Sequence, residues 1–137
     1  MQQHTYAIMD RVEDSHWWFV GRRAILESFL ETIVQGLKSK AQSPKILDVG
    51  CGTGANLEML TRFGLAEGVD VSDEALDFCR QKGLTVQKGL AETLPYENES
   101  FDLTTALDVI EHLDDDVAGL KEMYRVTKTG GYSLIFV

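Results

Sequence analysis

Proline is scarce in this chain of 137 residues, with only Pro44 and Pro95. No proline-rich linker, internal repeat or low-complexity tract divides it, and the length suits one domain. Cysteine is equally rare. Cys51 and Cys79 form no CxxC or Cys/His spacing of the kind that holds a metal, so no metal site is expected. They read as free thiols of a reducing compartment, with the cytoplasm the default location. Apolar runs fall far short of the roughly 20 residues that a membrane-spanning helix needs. Met1 to Asp10 lacks a basic stretch followed by an apolar one, so no secretory leader is expected. Basic residues are outnumbered, 13 against 22 acidic, for a formal charge of -9. Such a surface repels nucleic acid and anionic membranes, which leaves a small molecule as the expected partner. A composition 44% hydrophobic and 26% charged is that of a soluble globular protein.

What is present alternates. Arg22 to Gln42 reads as an amphipathic helix, with Ile25, Phe29, Ile33, Val34 and Leu37 on one face, ended by Ser43-Pro44. Lys45 to Val49 is a short apolar strand running into Gly50-Cys51-Gly52-Thr53-Gly54, and a helix from Ala55 to Arg62 follows. Gly68 to Val71 is a second strand. Ser72 is an N-cap for a helix that carries Asp73 and Glu74 in its first turn and runs to Lys82-Gly83. Leu84 to Gln87 and Phe101 to Leu107 are further strands. Asp114, Asp115 and Asp116 open a helix with Val117, Leu120, Met123 and Val126 on one face. Gly130-Gly131 then turns the chain into a fifth strand, Tyr132 to Val137.

Strands separated by helices pair in parallel, because a parallel crossover needs a dozen or more residues. The expected fold is an open, doubly wound α/β sheet, mostly parallel, with its ligand beyond the carboxyl ends of the strands. Residues 1–43 read as a helical entry segment or lid and residues 44–137 as the binding core. Ending on Leu134-Ile135-Phe136-Val137 suggests a core broken off after its fifth strand, the N-terminal piece of a longer protein. An exposed fifth strand of that kind would favour homo-oligomers.

The glycine turn lies at the binding edge. Gly50-x-Gly52-x-x-Ala55 also fits the dinucleotide fingerprint, and Asp70 stands twenty residues after Gly50, where such folds keep a ribose-binding acid. Asp48 separates the readings. A carboxylate beside a pyrophosphate is unfavourable, whereas a cationic ligand is attracted. Asp70, Asp108 and Glu111 add to this acid-rich rim, favouring a positively charged nucleoside over a nicotinamide dinucleotide.

The run Ile46-Leu47-Asp48-Val49-Gly50-Cys51-Gly52-Thr53-Gly54 resembles the first motif of the class I S-adenosylmethionine-dependent methyltransferases. The resemblance continues through Gly68-Val69-Asp70-Val71-Ser72, Leu94-Pro95-Tyr96 and Ser100-Phe101-Asp102-Leu103 to Leu107-Asp108-Val109-Ile110-Glu111-His112-Leu113. It implies a Rossmann-like methyltransferase fold, S-adenosylmethionine as cofactor and S-adenosylhomocysteine as product. It also implies roles. The Gly50-Cys51-Gly52 backbone would pass the methionine part, with Asp48 helping to hold its ammonium. Asp70 would accept from the ribose hydroxyls, Val71 would pack on the adenine, and Ala91 and Glu92 would lie along the adenine edge. The Leu107 carbonyl would face the ammonium, and Asp108 and His112 would line the mouth near the methyl group. Leu90 departs from the pattern, standing where many relatives have an Asp that accepts from the adenine amino group.

His16-Trp17-Trp18-Phe19 and Gly21-Arg22-Arg23 resemble the entry segment of one bacterial branch of these enzymes. Its rings would cover the sulfonium by cation–π attraction, and Arg22 or Arg23 would pair with the cofactor carboxylate; the other reading is that the aromatics pack the first helix onto the sheet and each Arg is only a solvated charge. Methyl transfer needs positioning more than a fixed catalytic pair, and His112 is the one ionisable group that reads as a base. Leu107-Asp108-Val109-Ile110 is not the Asn/Asp-Pro-Pro-Tyr type of enzymes that methylate DNA bases, which points to a small-molecule acceptor. The other readings are a module of the same fold that binds without turnover and a nicotinamide-dependent oxidoreductase.

Overall fold

A computed structural model describes residues 3–38 and 43–137. Two helices come first, α1 (Gln3–Val12) and α2 (Trp17–Lys38). Then β1 (Lys45–Val49) leads through the glycine turn into α3 (Ala55–Leu60), and β2 (Leu65–Asp70) into α4 (Asp73–Gln81). The rest is β3 (Val86–Lys88), β4 (Phe101–Leu107), a single 3-10 turn at Ile110–His112, α5 (Asp116–Val126) and β5 (Thr127–Phe136). The strands form one sheet in the order β3-β2-β1-β4-β5, and every pairing is parallel. The chain steps outward from β1 to β3 on one side, then crosses to β4 and β5 on the other. The crevice therefore opens at the carboxyl ends of β1 and β4, where the order reverses.

Alternation along the central strands fills both faces. Leu47, Val49, Val69 and Ala106 join Met123 and Val126 of α5 in one cluster. Ile46, Leu103 and Leu107 pack on Leu26, Leu30 and Leu37 of α2 and on Met59 and Leu60 of α3 in the other. Burying each large aliphatic side chain contributes roughly 1.5–3 kcal/mol, so β1 and β4, covered on both faces, anchor the domain.

Local expectations meet corrections where neighbouring apolar residues compete. The stripe of α2 that faces the sheet is Leu26, Leu30, Val34 and Leu37, whereas Ile25 and Phe29 are 54% and 51% exposed. Apolar residues at adjacent positions leave the helix rotation open until the sheet selects one set. The helix also starts at Trp17, five residues before the expected Arg22, and its expected end at Gln42 lies outside the described residues. On α5 the buried set is Gly119, Met123 and Val126, while Val117 and Leu120 face outward. Asp115 caps that helix, its carboxylate accepting from the Ala118 N–H at 2.9 Å.

Gly130-Gly131 is not a turn between helix and strand. Strand β5 runs through both glycines, and two steps along β4, Phe101 to Leu103, face five along β5, Thr127 to Tyr132. The bulge holds Gly130 at φ +83°, and a Cβ on Gly131 would stand 2.6 Å from the Asp102 carbonyl oxygen. Strand β2 begins at Leu65 rather than Gly68 because Lys45 to Val49 pair along its whole length. Strand β3 is displaced to Val86–Lys88, and α3 stops two residues short of Arg62. Helix α1 was not expected; Tyr6, Asp10 and Glu13, four and three residues apart, carry its signal.

Gly64 closes the turn between α3 and β2 against Pro44: an added Cβ would meet the Pro44 carbonyl oxygen at 2.2 Å. Backbone cannot yield there as a side chain can. Gly64→Ala is expected to lower unfolding free energy by about 1–3 kcal/mol in urea titration, and an unchanged midpoint would contradict this packing.

Candidate functional site

Three glycines after β1 take left-handed backbone, Gly50 at φ +71°, Gly52 at +55° and Gly54 at +98°, a region that residues with a Cβ seldom occupy. They do different things. A Cβ on Gly50 would collide with Val109 at 2.5 Å, so this glycine lets the turn after β4 approach the turn after β1. Nothing lies within 4 Å of the same point on Gly52, which faces open space. The Gly50 and Cys51 N–H groups donate to the Val69 carbonyl at 2.8 and 3.1 Å, extending the β1–β2 ladder into the turn.

Asp70 ends β2 beside this turn. Its Oδ2 accepts from the Gly52 N–H and its Oδ1 from the Ser72 N–H, each at 2.9 Å. A carboxylate has about four acceptor sites, so each oxygen keeps capacity for a ligand donor. Ser72 in turn caps α4, accepting from the Ala75 N–H at 3.2 Å. One carboxylate thus holds the glycine turn and the entry to the next helix together.

A cleft of about 650 Å³ opens over this edge. Gly50, Gly52, Asp70 and Val71 form its floor, and Ala91 and Glu92 one end. Asp108, Val109 and His112 form the opposite wall, and Tyr6 of α1 comes over the top. Eight of the residues named from the sequence as cofactor contacts therefore converge here. Three do not line it. Asp48 is buried beneath the turn at 2% exposure, where its Oδ1 accepts from the Thr105 hydroxyl at 2.8 Å. Cys51 turns its side chain into a cluster with Leu57, Leu76 and Cys79, and the Cys79 hydrogen bond, with burial, holds its thiol well above the usual range. Leu107 packs its side chain in the core under α2. Leu90 lies outside the cleft, half-exposed and bridged to Thr93.

Tyr6 is the residue that sequence reading missed, since no motif includes it. Helix α1 and Glu13 just after it are moored beside the cleft by polar contacts. Lys82 pairs with Asp10 at 3.0 Å, the Thr53 hydroxyl donates to the Glu13 carboxylate, and Arg23 donates to the Glu13 carbonyl. Arg23 is thus neither at the cleft nor free in solvent. Burial raises the Glu13 carboxyl above its ordinary value.

A second, largely apolar chamber of about 410 Å³ lies next to the first, lined by Trp17, Trp18, Arg22 and Ile25 of α2, by Phe136 and by Asp108. Asp108 borders both cavities, sits at φ +61°, and forms an ion pair with Arg22. Phe19 is half-buried and lines neither. His112 stands exposed at the rim of the larger cleft, 3.8 Å from Glu111.

Comparison with known proteins gives a consistent picture. Residues 47–135 match the family model described as a methyltransferase domain. A demethylmenaquinone methyltransferase of Chlorobaculum parvum is 35% identical over 98 residues, covering 69% of this chain and 41% of the relative. A ubiquinone biosynthesis O-methyltransferase of Methylococcus capsulatus is 36% identical over 98 residues, covering 64% of this chain and 40% of the relative. Among solved structures, a SAM-dependent methyltransferase from Thermotoga maritima superposes with a TM-score of 0.65 at 31% identity, over 95% of this chain and 60% of that one. The chain spans about two fifths of the length of these curated relatives.

Buried without a countercharge, the Asp48 carboxyl is pushed up from 3.8 to about 7 by desolvation, opposed by the Thr105 hydrogen bond and reinforced by the charge of Asp70. A carboxyl that keeps its proton when folded and loses it when unfolded weakens folding as pH climbs between those two values. Asp48→Asn keeps the Thr105 contact without the titration. Urea unfolding at pH 5 and pH 8 should show wild type losing about 2 kcal/mol more than the variant. Equal losses would place Asp48 in contact with solvent or a cation.

Proposed function

Since this chain belongs to the class I S-adenosylmethionine-dependent methyltransferase family, we propose that it is the cofactor-binding part of an enzyme that methylates a small molecule. The observation that carries the reading is Asp70. Its two carboxylate oxygens, each held by one backbone N–H and each with acceptor capacity left, look into a cleft floored by side-chain-free backbone. A vicinal diol on a nucleoside suits such a pair of acceptors.

S-adenosylmethionine, when bound, supplies a methyl group on a sulfonium, a good leaving group. The residues of this chain then bind and orient. Asp70 accepts from the ribose hydroxyls, Val71 packs against the adenine, and Ala91 and Glu92 border the adenine edge. Leu90, facing away, leaves the adenine amino group without a carboxylate partner, so adenine is selected by shape and backbone. The open side of Gly52 admits the methionine part. Asp48 acts through the turn rather than by touching the ammonium, since it is buried beneath the turn and does not line the cleft. The Leu107 carbonyl serves the ammonium side, Asp108 lines the mouth near the methyl group, and His112 at the rim is the group to take a proton from an acceptor O–H or N–H.

Residues 1–43 act as a lid over the 44–137 core in this reading, with Tyr6 rather than the tryptophans closing the cofactor cleft. The formal charge of -9 supports a small-molecule acceptor rather than nucleic acid. Two free, buried cysteines support a reducing location such as the cytoplasm. Among the described residues no helix is long and apolar enough to cross a membrane.

Titration calorimetry should show saturable binding of S-adenosylmethionine and S-adenosylhomocysteine and none of NADH. Asp70→Ala should weaken S-adenosylhomocysteine at least ten-fold, a loss of about 1.4 kcal/mol; an unchanged affinity would remove the ribose role. Strand β5 forms an edge of the sheet, and sedimentation of the 137-residue chain at high concentration should show dimers, whereas a clean monomer would argue against edge pairing.

A further inference from the structure

The smaller chamber has chemistry of its own. Trp17, Trp18, Ile25 and Phe136 make its walls apolar, although Trp17, Trp18 and Ile25 are 75%, 54% and 54% exposed. Large apolar side chains gathered around a concave surface, with more than half of each left to solvent, are costly unless something covers them. Its volume, about 410 Å³, is within the range of small-molecule pockets.

Its charges are already balanced. The Arg22 guanidinium pairs with Asp108 and stacks over the Phe136 ring, 5.2 Å from the centroid. An anion drawn to Arg22 meets the Asp108 carboxylate beside it, and a cation drawn to Asp108 meets the Arg22 guanidinium. The like charge in each case offsets the attraction, which penalises both kinds of ligand. A neutral ligand meets no such cost.

The shared wall fixes the orientation. Asp108 lines this chamber on one side and the larger cleft on the other. A molecule filling the chamber presents its end at Asp108 to whatever occupies that cleft. We infer that the Trp17–Trp18–Ile25–Phe136 chamber is the acceptor site, and that the acceptor is an uncharged, largely apolar small molecule whose polar end lies at the Arg22–Asp108 pair. This rests on the cofactor reading of the larger cleft.

Trp17 and Trp18 are the two tryptophans of the chain, so its tryptophan fluorescence reports on this chamber. The experiment is a fluorescence titration with 1-naphthol, compared with its anionic analogue 1-naphthoate, in the absence and presence of saturating S-adenosylhomocysteine. The expected result is saturable quenching by 1-naphthol, at least ten-fold weaker for 1-naphthoate, and little changed by S-adenosylhomocysteine. Ile25→Arg, on an exposed position, should weaken 1-naphthol ten-fold or more while S-adenosylhomocysteine affinity in calorimetry stays within two-fold. Displacement of 1-naphthol by S-adenosylhomocysteine, equal binding of the two naphthyl probes, or indifference to Ile25→Arg would each overturn the inference. Failure of the cofactor reading has a separate signature: S-adenosylhomocysteine silent in calorimetry while 1-naphthol still binds. That result would overturn the acceptor assignment while leaving an apolar binding chamber.

Discussion

The Asp70 carboxylate joins two turns that the sheet alone would leave independent. By accepting from Gly52 on one side and Ser72 on the other, it fixes the backbone after β1 relative to the N-terminus of α4. The three left-handed glycines make the first turn tight enough to be reached, and the Ser72 cap fixes the second. Charge-assisted hydrogen bonds to a carboxylate are about twice as strong as neutral ones, so the floor of the cleft is set before any ligand arrives. Preorganisation of this kind removes an ordering cost that binding would otherwise meet.

Around that floor the first N-terminal helix is held by polar contacts and the second by apolar ones. Helix α1 is moored through Asp10, Glu13, Thr53 and Lys82, whereas α2 buries Leu26, Leu30, Val34 and Leu37 against the sheet. Elements with few buried apolar contacts open at lower free energy than core elements, so α1 is suited to move while α2 stays. Tyr6 rides on the first, and Trp17, Trp18 and Arg22 on the second. The two cavities thus have different covers, one readily displaced and one fixed, with Asp108 as their common wall.

The order of strands and helices was legible because each β–α step carries its own punctuation: Ser43-Pro44 before β1, the glycine turn after it, Ser72 before α4 and Gly83 after it. The converging residues of the cleft were legible for the same reason, since a parallel sheet brings every strand's carboxyl end to one edge. Side-chain direction was not. Asp48 and Cys51 lie in the right motif yet turn away from the cleft: Asp48 sits beneath the turn on Thr105, and the left-handed Gly50 sends Cys51 toward Leu57, Leu76 and Cys79. The rotation of α2 was also hidden, since Ile25-Leu26 and Phe29-Leu30 offer two equally apolar stripes and only the sheet distinguishes them. Tyr6 was missed because a helix held by scattered polar contacts leaves only a weak periodic signal.

The most direct test is a crystal structure of the chain with S-adenosylhomocysteine bound. The nucleoside is expected in the cleft over Gly50 and Gly52, its two ribose hydroxyls within hydrogen-bond distance of the Asp70 carboxylate, and its sulfur turned toward Asp108. Density in the tryptophan-lined chamber instead, or a ribose away from Asp70, would contradict this placement.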